Sequence, residues 1–200
     1  MSTFTHPFKK HEKELIKQFF ANNNPVIVYP TETFYALGCA ADNSEAVQKI
    51  YEIKKRKSGF PLLVLIDSWQ MLDQYADNLD SSKMSLLKKH WPGPLTAILQ
   101  TKDSKLAKEL NYQYSTLGFR MTSSPIAREL IRMAGVPLVG TSANRSSEPE
   151  AATCDAAKQY FTNQVDIYID GGRSPGILPS TLIDLTGKDY KVIREGMIKV

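Results

Sequence analysis

Cysteine is scarce in this chain. Cys39 and Cys154 are the only two, far apart and with no metal-ligand spacing, so neither a disulfide framework nor a cysteine metal site is indicated. His6, His11 and His90 are just as scattered, which argues against a histidine metal site. No apolar run approaches the ~20 residues of a membrane span. The N-terminal MSTFTHPFKKHEKEL has no apolar stretch of the secretory kind. These absences predict a cytoplasmic protein with reduced thiols and no membrane partner. Also missing are GxxxxGK[ST] and a GxGxxG after a strand, so any nucleotide is held without the usual phosphate cradle. Local spacing suggests no Ser-His-Asp set, and the carboxylates show no pairing of a hydrolytic kind.

What is present is ordinary in bulk. Hydrophobic residues make up 42% and charged residues 23%, as in a soluble globular protein. The net charge of +4 permits an anionic ligand or RNA without requiring one. With no repeat, low-complexity stretch or linker, residues 1–200 read as a single domain.

The most informative stretch is Pro137 to Asn144, PLVGTSAN. A short apolar run stops in glycine and three polar side chains, as if a core strand delivered hydrogen-bonding groups to a sheet edge. The plain alternative is a strand running into a Ser/Asn turn. Similar exits recur at Thr31–Thr33 after Val26–Tyr29, at Arg120 after Ser115, and at Arg194 after Tyr190–Ile193.

Helices are predicted at Lys9–Ala21, with Leu15, Ile16, Phe19 and Phe20 at helical spacing, and after Asp42 as N-cap with Glu45 closing a capping box. Others follow from Asp67, from Ser81 or Ser82, over Ser104–Leu110, from Ser124-Pro125, and over Thr153–Phe161. Strands are predicted at Pro61–Ile66, Leu95–Leu99, Val165–Ile169 and Thr181–Leu185, the last forming a hairpin with Tyr190–Ile193. Alternating strands and helices give an α/β class, a twisted mixed open sheet with flanking helices.

The second helix ends in Lys54, Lys55, Arg56 and Lys57. Cations suit a helix C-terminus, but four in a row repel one another unless an anion lies close. Lys54 and Arg56, together with Thr31, Thr33, Thr116, Arg120, Thr141, Ser142, Asn144, Ser180, Thr181 and Arg194, form a set of guanidinium, ammonium, hydroxyl and amide groups. Such groups bind carboxylates and phosphates, and suit a displacement at phosphorus in which positioning and charge neutralisation dominate.

Seven segments occur in order: PTETFYALGC, YEIKKRKSGFPLLVLI, WPGPLTAIL, GFRMTSSPIAREL, GVPLVGTSAN, DGGRSPGILPSTLIDL and VIREGMI. Together they resemble the YrdC/TsaC family of threonylcarbamoyl-AMP synthases, over about Pro30 to Ile198. Lys54 and Arg56 meet its Lys-x-Arg signature, and Ser142 and Asn144 its Ser-x-Asn signature. The chain stops where the short form of the family stops, which implies no extra C-terminal domain. One departure stands out: Lys57 and Phe60 occupy positions where the family usually has proline and lysine. Lys55 or Lys57 is the expected substitute for that lysine.

The resemblance implies a concave, positively charged face and a reaction in which L-threonine, bicarbonate and ATP give threonylcarbamoyl-AMP and pyrophosphate. Partner proteins, and tRNA itself, follow in a tRNA modification. On this reading Arg120 holds the threonine carboxylate. Thr33, Thr141 and either Thr181 or Ser180 hold its hydroxyl and amine. Lys54 and Arg56 are the catalytic pair. With Arg194 and a Mg2+ ion brought by ATP they neutralise the triphosphate, while Thr116, Ser142 and Asn144 orient phosphates or ribose. No protein metal site is expected. The alternatives are a double-stranded RNA- or tRNA-binding module and a nucleotide-binding paralogue without this activity.

Overall fold

The helices begin where side chains can cap them. Ser124 Oγ accepts a hydrogen bond from Ala127 N at 3.3 Å, and Pro125 takes the first helical position. The helix buries Ile126, Ala127, Leu130 and Ile131 and stops at Gly135, whose φ of 74° is left-handed. Three caps differ from expectation. Asn43, not Asp42, accepts from Ala46 N at 2.9 Å. Ser68, not Asp67, caps the next helix, while Asp67 accepts from Arg132 Nε at 2.9 Å. Asp80 precedes Ser81 and accepts from both Ser82 N and Lys83 N at 2.9 Å, which one carboxylate oxygen at N-cap can do.

The computed structural model describes residues 1–55, 61–77, 79–110, 115–145 and 148–200. In chain order its elements are β1 (Ser2–Thr5), α1 (Lys10–Asn22), β2 (Ile27–Pro30), β3 (Tyr35–Gly38), α2 (Ser44–Lys54), β4 (Val64–Ile66), α3 (Trp69–Tyr75), α4 (Ser81–His90) and β5 (Leu95–Gln100). There follow α5 (Ser104–Glu109), β6 (Thr116–Met121), α6 (Pro125–Ala134), β7 (Leu138–Val139), β8 (Thr141–Ser142), α7 (Cys154–Phe161), β9 (Ile167–Asp170), β10 (Thr181–Asp184) and β11 (Lys191–Arg194).

The mixed α/β architecture is as expected, but the strands divide between two sheets. One runs β1-β9-β2-β3-β8, the other β11-β10-β5-β6-β4-β7, and both mix parallel and antiparallel pairs. The division falls inside PLVGTSAN. Leu138 and Val139 pair with β4 in the second sheet, and Thr141 and Ser142 pair with β3 in the first. Gly140 is the crossing point, its N–H donating to Leu63 O at 3.0 Å.

The sheets meet backbone to backbone here. A Cβ on Gly38 would stand 1.9 Å from Val139 O, so only glycine fits. Tyr29 spans the same junction, donating its hydroxyl to Val139 O at 2.8 Å, and burial raises its pKa. Strands β1 and β3 go unpredicted because they are four residues long and take their regularity from pairing with β9 and β2. In α1, Ile16 is buried and Phe19 and Phe20 pack partly, whereas Leu15 faces out. Cys39 and Cys154 are buried free thiols, and among the described residues no helix is long and apolar enough to cross a membrane.

Candidate functional site

Between the two sheets lies a cavity of about 710 Å³. The first sheet contributes the Thr31–Ala36 stretch and β8. The second contributes Thr96 and Ile98 of β5, Arg120 of β6, Ser180 and Leu182 at the start of β10, and Arg194 of β11. The sheet switch at Gly140 therefore puts the polar end of PLVGTSAN in the wall of a cleft between the sheets.

One corner is a tight knot. Lys54, the last residue of α2, is only 5% exposed. Its ammonium donates to Ser142 O at 2.6 Å and to Asn144 Oδ1 at 3.1 Å. Ser142 Oγ donates to the same Asn144 oxygen at 2.7 Å, and Asn144 Nδ2 donates to Glu148 O at 2.6 Å. Lys54 of the Lys-x-Arg signature is thus joined to both residues of the Ser-x-Asn signature.

A second group surrounds Arg120. Its Nη1 donates to Thr33 Oγ1 at 3.3 Å, and Thr33 and Thr31 share a hydrogen bond of 3.0 Å between their hydroxyls. Behind it Glu32 brings Oε1 to 3.5 Å from Arg120 Nε. Across the cavity Arg194 Nη2 donates to Ser180 O at 2.9 Å and Ser180 Oγ at 3.3 Å, and Ser180 Oγ meets Thr96 Oγ1 at 2.8 Å. Burial lowers the Arg194 pKa, Glu150 opposes that shift, and the like charge of Arg120 adds to it. An arginine remains cationic at neutral pH through such a shift.

Of the residues singled out from sequence, Thr31, Thr33, Lys54, Arg120, Thr141, Ser142, Asn144, Ser180 and Arg194 line this one cavity, and so does Lys55. Two do not. Thr116 starts β6 opposite Gln100, four residues before Arg120, and is not among the residues that line the cavity. Thr181 is fully buried and donates to Ile198 O at 2.5 Å while accepting from Ile198 N at 3.2 Å. It pins the C-terminal segment, which leaves Ser180 as the hydroxyl that reaches the cavity. Arg56, Lys57 and Phe60 lie outside the described residues.

Sequence reasoning missed Thr96, Tyr35 and Glu150 as wall residues. Thr96 sits inside an apolar strand, and only the pairing of β5 with β10 brings it to Ser180. Tyr35 looks like a core aromatic, yet its hydroxyl donates to Gly172 O at 2.6 Å and accepts from Gly171 N at 3.2 Å, holding the loop that leads to Ser180.

Chemically, Lys54, Lys55, Arg120 and Arg194 face one carboxylate, Glu150, among the described lining residues. That balance suits a ligand with several negative charges. No group of three or more His, Cys, Asp or Glu that could hold a metal ion occurs among the described residues.

The family model Sua5_yciO_yrdC, described as "Telomere recombination", matches residues 20–196. The threonylcarbamoyl-AMP synthase of Bacillus subtilis (strain 168) is 34% identical over 175 residues, covering 88% of this chain and 51% of that protein. The chain thus spans about half the length of that relative. The threonylcarbamoyl-AMP synthase of Pseudoalteromonas translucida (strain TAC 125) is also 34% identical, over 169 residues, covering 83% of this chain and 90% of that protein. A crystal structure of P. abyssi Sua5 complexed with L-threonine superposes with a TM-score of 0.89 at 28% identity, covering 98% of this chain and 57% of that one. With the family model, the sequence relatives and the fold in agreement, the chain belongs to the Sua5/YciO/YrdC family.

Proposed function

We propose that this protein is a threonylcarbamoyl-AMP synthase, a nucleotidyltransferase acting on L-threonine, bicarbonate and MgATP. The observation that carries the reading is the single cavity in which Arg120 and its two threonines face the Lys54-Ser142-Asn144 knot and Arg194. An amino acid needs a guanidinium for its carboxylate and hydroxyls for its other polar groups. A triphosphate needs ammonium and guanidinium charge. Both requirements are met within about 710 Å³, a volume in the range of small-molecule sites.

On this proposal Arg120 pairs with the threonine carboxylate, and Thr33, Thr141 and Ser180 receive its amine and hydroxyl. The neutral amine nitrogen bonds to the carbon of carbon dioxide to give a carbamate, and the proton it releases balances the one that bicarbonate takes up in yielding carbon dioxide and water. A carbamate oxygen then attacks the α-phosphorus as the bond to pyrophosphate breaks. Lys54, Arg56 and Arg194 neutralise the leaving pyrophosphate, and Ser142 and Asn144 hold the nucleotide in line. Magnesium would come with the substrate and would offset phosphate charge. No covalent enzyme intermediate is required. Transfer of the product's threonylcarbamoyl group to tRNA by partner proteins, in the cytoplasm, completes the proposal.

The test is pyrophosphate release from MgATP with each substrate omitted in turn. Release is expected only when threonine and bicarbonate are both present. A protein that releases none, yet binds double-stranded RNA with steep salt dependence, is an RNA-binding module instead.

A further inference from the structure

We infer that Glu32 is a positioning residue, setting the Arg120 guanidinium for the α-carboxylate of the amino acid; this rests on the threonine reading above. Thr31 and Thr33 line the cavity, but Glu32, between them in the turn that joins β2 to β3, does not. Its carboxylate points behind the wall. Oε2 accepts from Thr122 Oγ1 at 2.5 Å, and the Thr122 oxygen in turn accepts from Ser124 N at 3.1 Å, at the cap of α6. Oε1 stands 3.5 Å from Arg120 Nε, with the side chains 12% and 6% exposed.

The quality of that ion pair is the informative point. Both Glu32 Oε1 and Arg120 Nε are buried without a hydrogen-bond partner. A carboxylate meant only to neutralise a buried arginine would gain most by gripping it through two short hydrogen bonds. It would then occupy donors that a ligand needs. Here the Glu32 contact is to the Nε edge and acts by charge alone, Thr33 takes one Nη1 donor, and Arg120 lines the cavity. The arrangement keeps a buried cation compensated while the cavity is empty. It also fixes the guanidinium plane, so an incoming carboxylate meets a preset fork.

The experiment is calorimetric titration of L-threonine and, separately, of MgATP into wild type, Glu32→Gln, Glu32→Asp, Arg120→Lys and the Glu32→Gln/Arg120→Lys double variant. Failure of wild type to bind threonine would overturn the synthase reading and this inference with it. Given wild-type binding, Glu32→Gln should weaken threonine about tenfold or more while MgATP affinity stays within about twofold. Glu32→Asp, which keeps the charge but withdraws it, should show the same selectivity with a smaller loss, and it serves if the glutamine variant fails to fold. In the Arg120→Lys background the Glu32 effect should shrink to near nothing, since it acts through the guanidinium. Unchanged threonine affinity, an equal loss for both ligands, or a full Glu32 effect without Arg120 would each overturn the inference.

Discussion

Lys54→Met separates a structural strut from a working cation. The lysine joins the end of α2 to the polar end of PLVGTSAN through bonds of 2.6 and 3.1 Å, and it is 5% exposed. Methionine fills a similar volume without the charge. Ser142 O and Asn144 Oδ1 each lose a charged donor, but Ser142 O keeps Asn144 N at 2.9 Å and Asn144 Oδ1 keeps the Ser142 hydroxyl at 2.7 Å. Two acceptors that lose a charged donor but each keep a neutral one, offset by relief from burying an ammonium, give a net loss of about 2 kcal/mol. For a domain of this size that lowers Tm by about 4–8 °C. The effect on turnover should be larger. Removing a charge-assisted contact to developing phosphate charge costs about 3 kcal/mol, roughly a hundredfold in rate. Threonine- and bicarbonate-dependent pyrophosphate release, measured well below the variant's Tm beside a thermal melt, reads both quantities. A lowered Tm with turnover within about twofold of wild type would refute the reasoning and leave Lys54 as a brace.

Gly38→Ala should destabilise the protein by about 3 kcal/mol in urea unfolding, because its Cβ would fall 1.9 Å from Val139 O, a backbone atom that cannot swing aside. Thr181→Val should lower stability by about 1–2 kcal/mol through loss of both bonds to Ile198, yet leave threonine affinity nearly intact, as direct titration would show. Burial raises the Tyr35 pKa from 10.0 to about 12, so the folded state holds its proton more tightly than the unfolded chain. That contribution is complete below about pH 10 and is lost as pH climbs towards about 12. Tyr35→Phe should therefore flatten part of the fall in stability over that window, measured by denaturant titration at stepped pH.

Much of the site was legible before any coordinates. Lys54, Ser142 and Asn144 stand out because dense like charge and clustered hydroxyls at strand exits are costly unless a ligand or a partner answers them. Arg120 and Arg194 stand out as guanidinium groups at the ends of apolar runs. Thr116 and Thr181 share that signature and do not reach the cavity. A hydroxyl next to a strand reads alike whether it faces a cleft, the far end of the sheet or a tail segment, and only register and pairing separate the cases. Glu32 was hidden for a similar reason. In PTET it sits between two threonines, and nothing local says that the turn between β2 and β3 carries it behind the wall towards Arg120.

By itself the sequence determined the helices and their caps to within a residue or so, the apolar strands, the polar exits and the family. Those are local or statistical properties, carried by spacing, side-chain chemistry and motif order. Tertiary structure alone decided that the strands form two sheets, that Gly140 is the crossing between them, and that the exits face one another across a cavity. The physical reason is the range of the contacts. Lys54 meets Asn144 across 90 positions of chain, and Arg120 meets Thr33 across 87. A bond between residues so far apart in sequence has no local signal, and exists only once the sheets have packed.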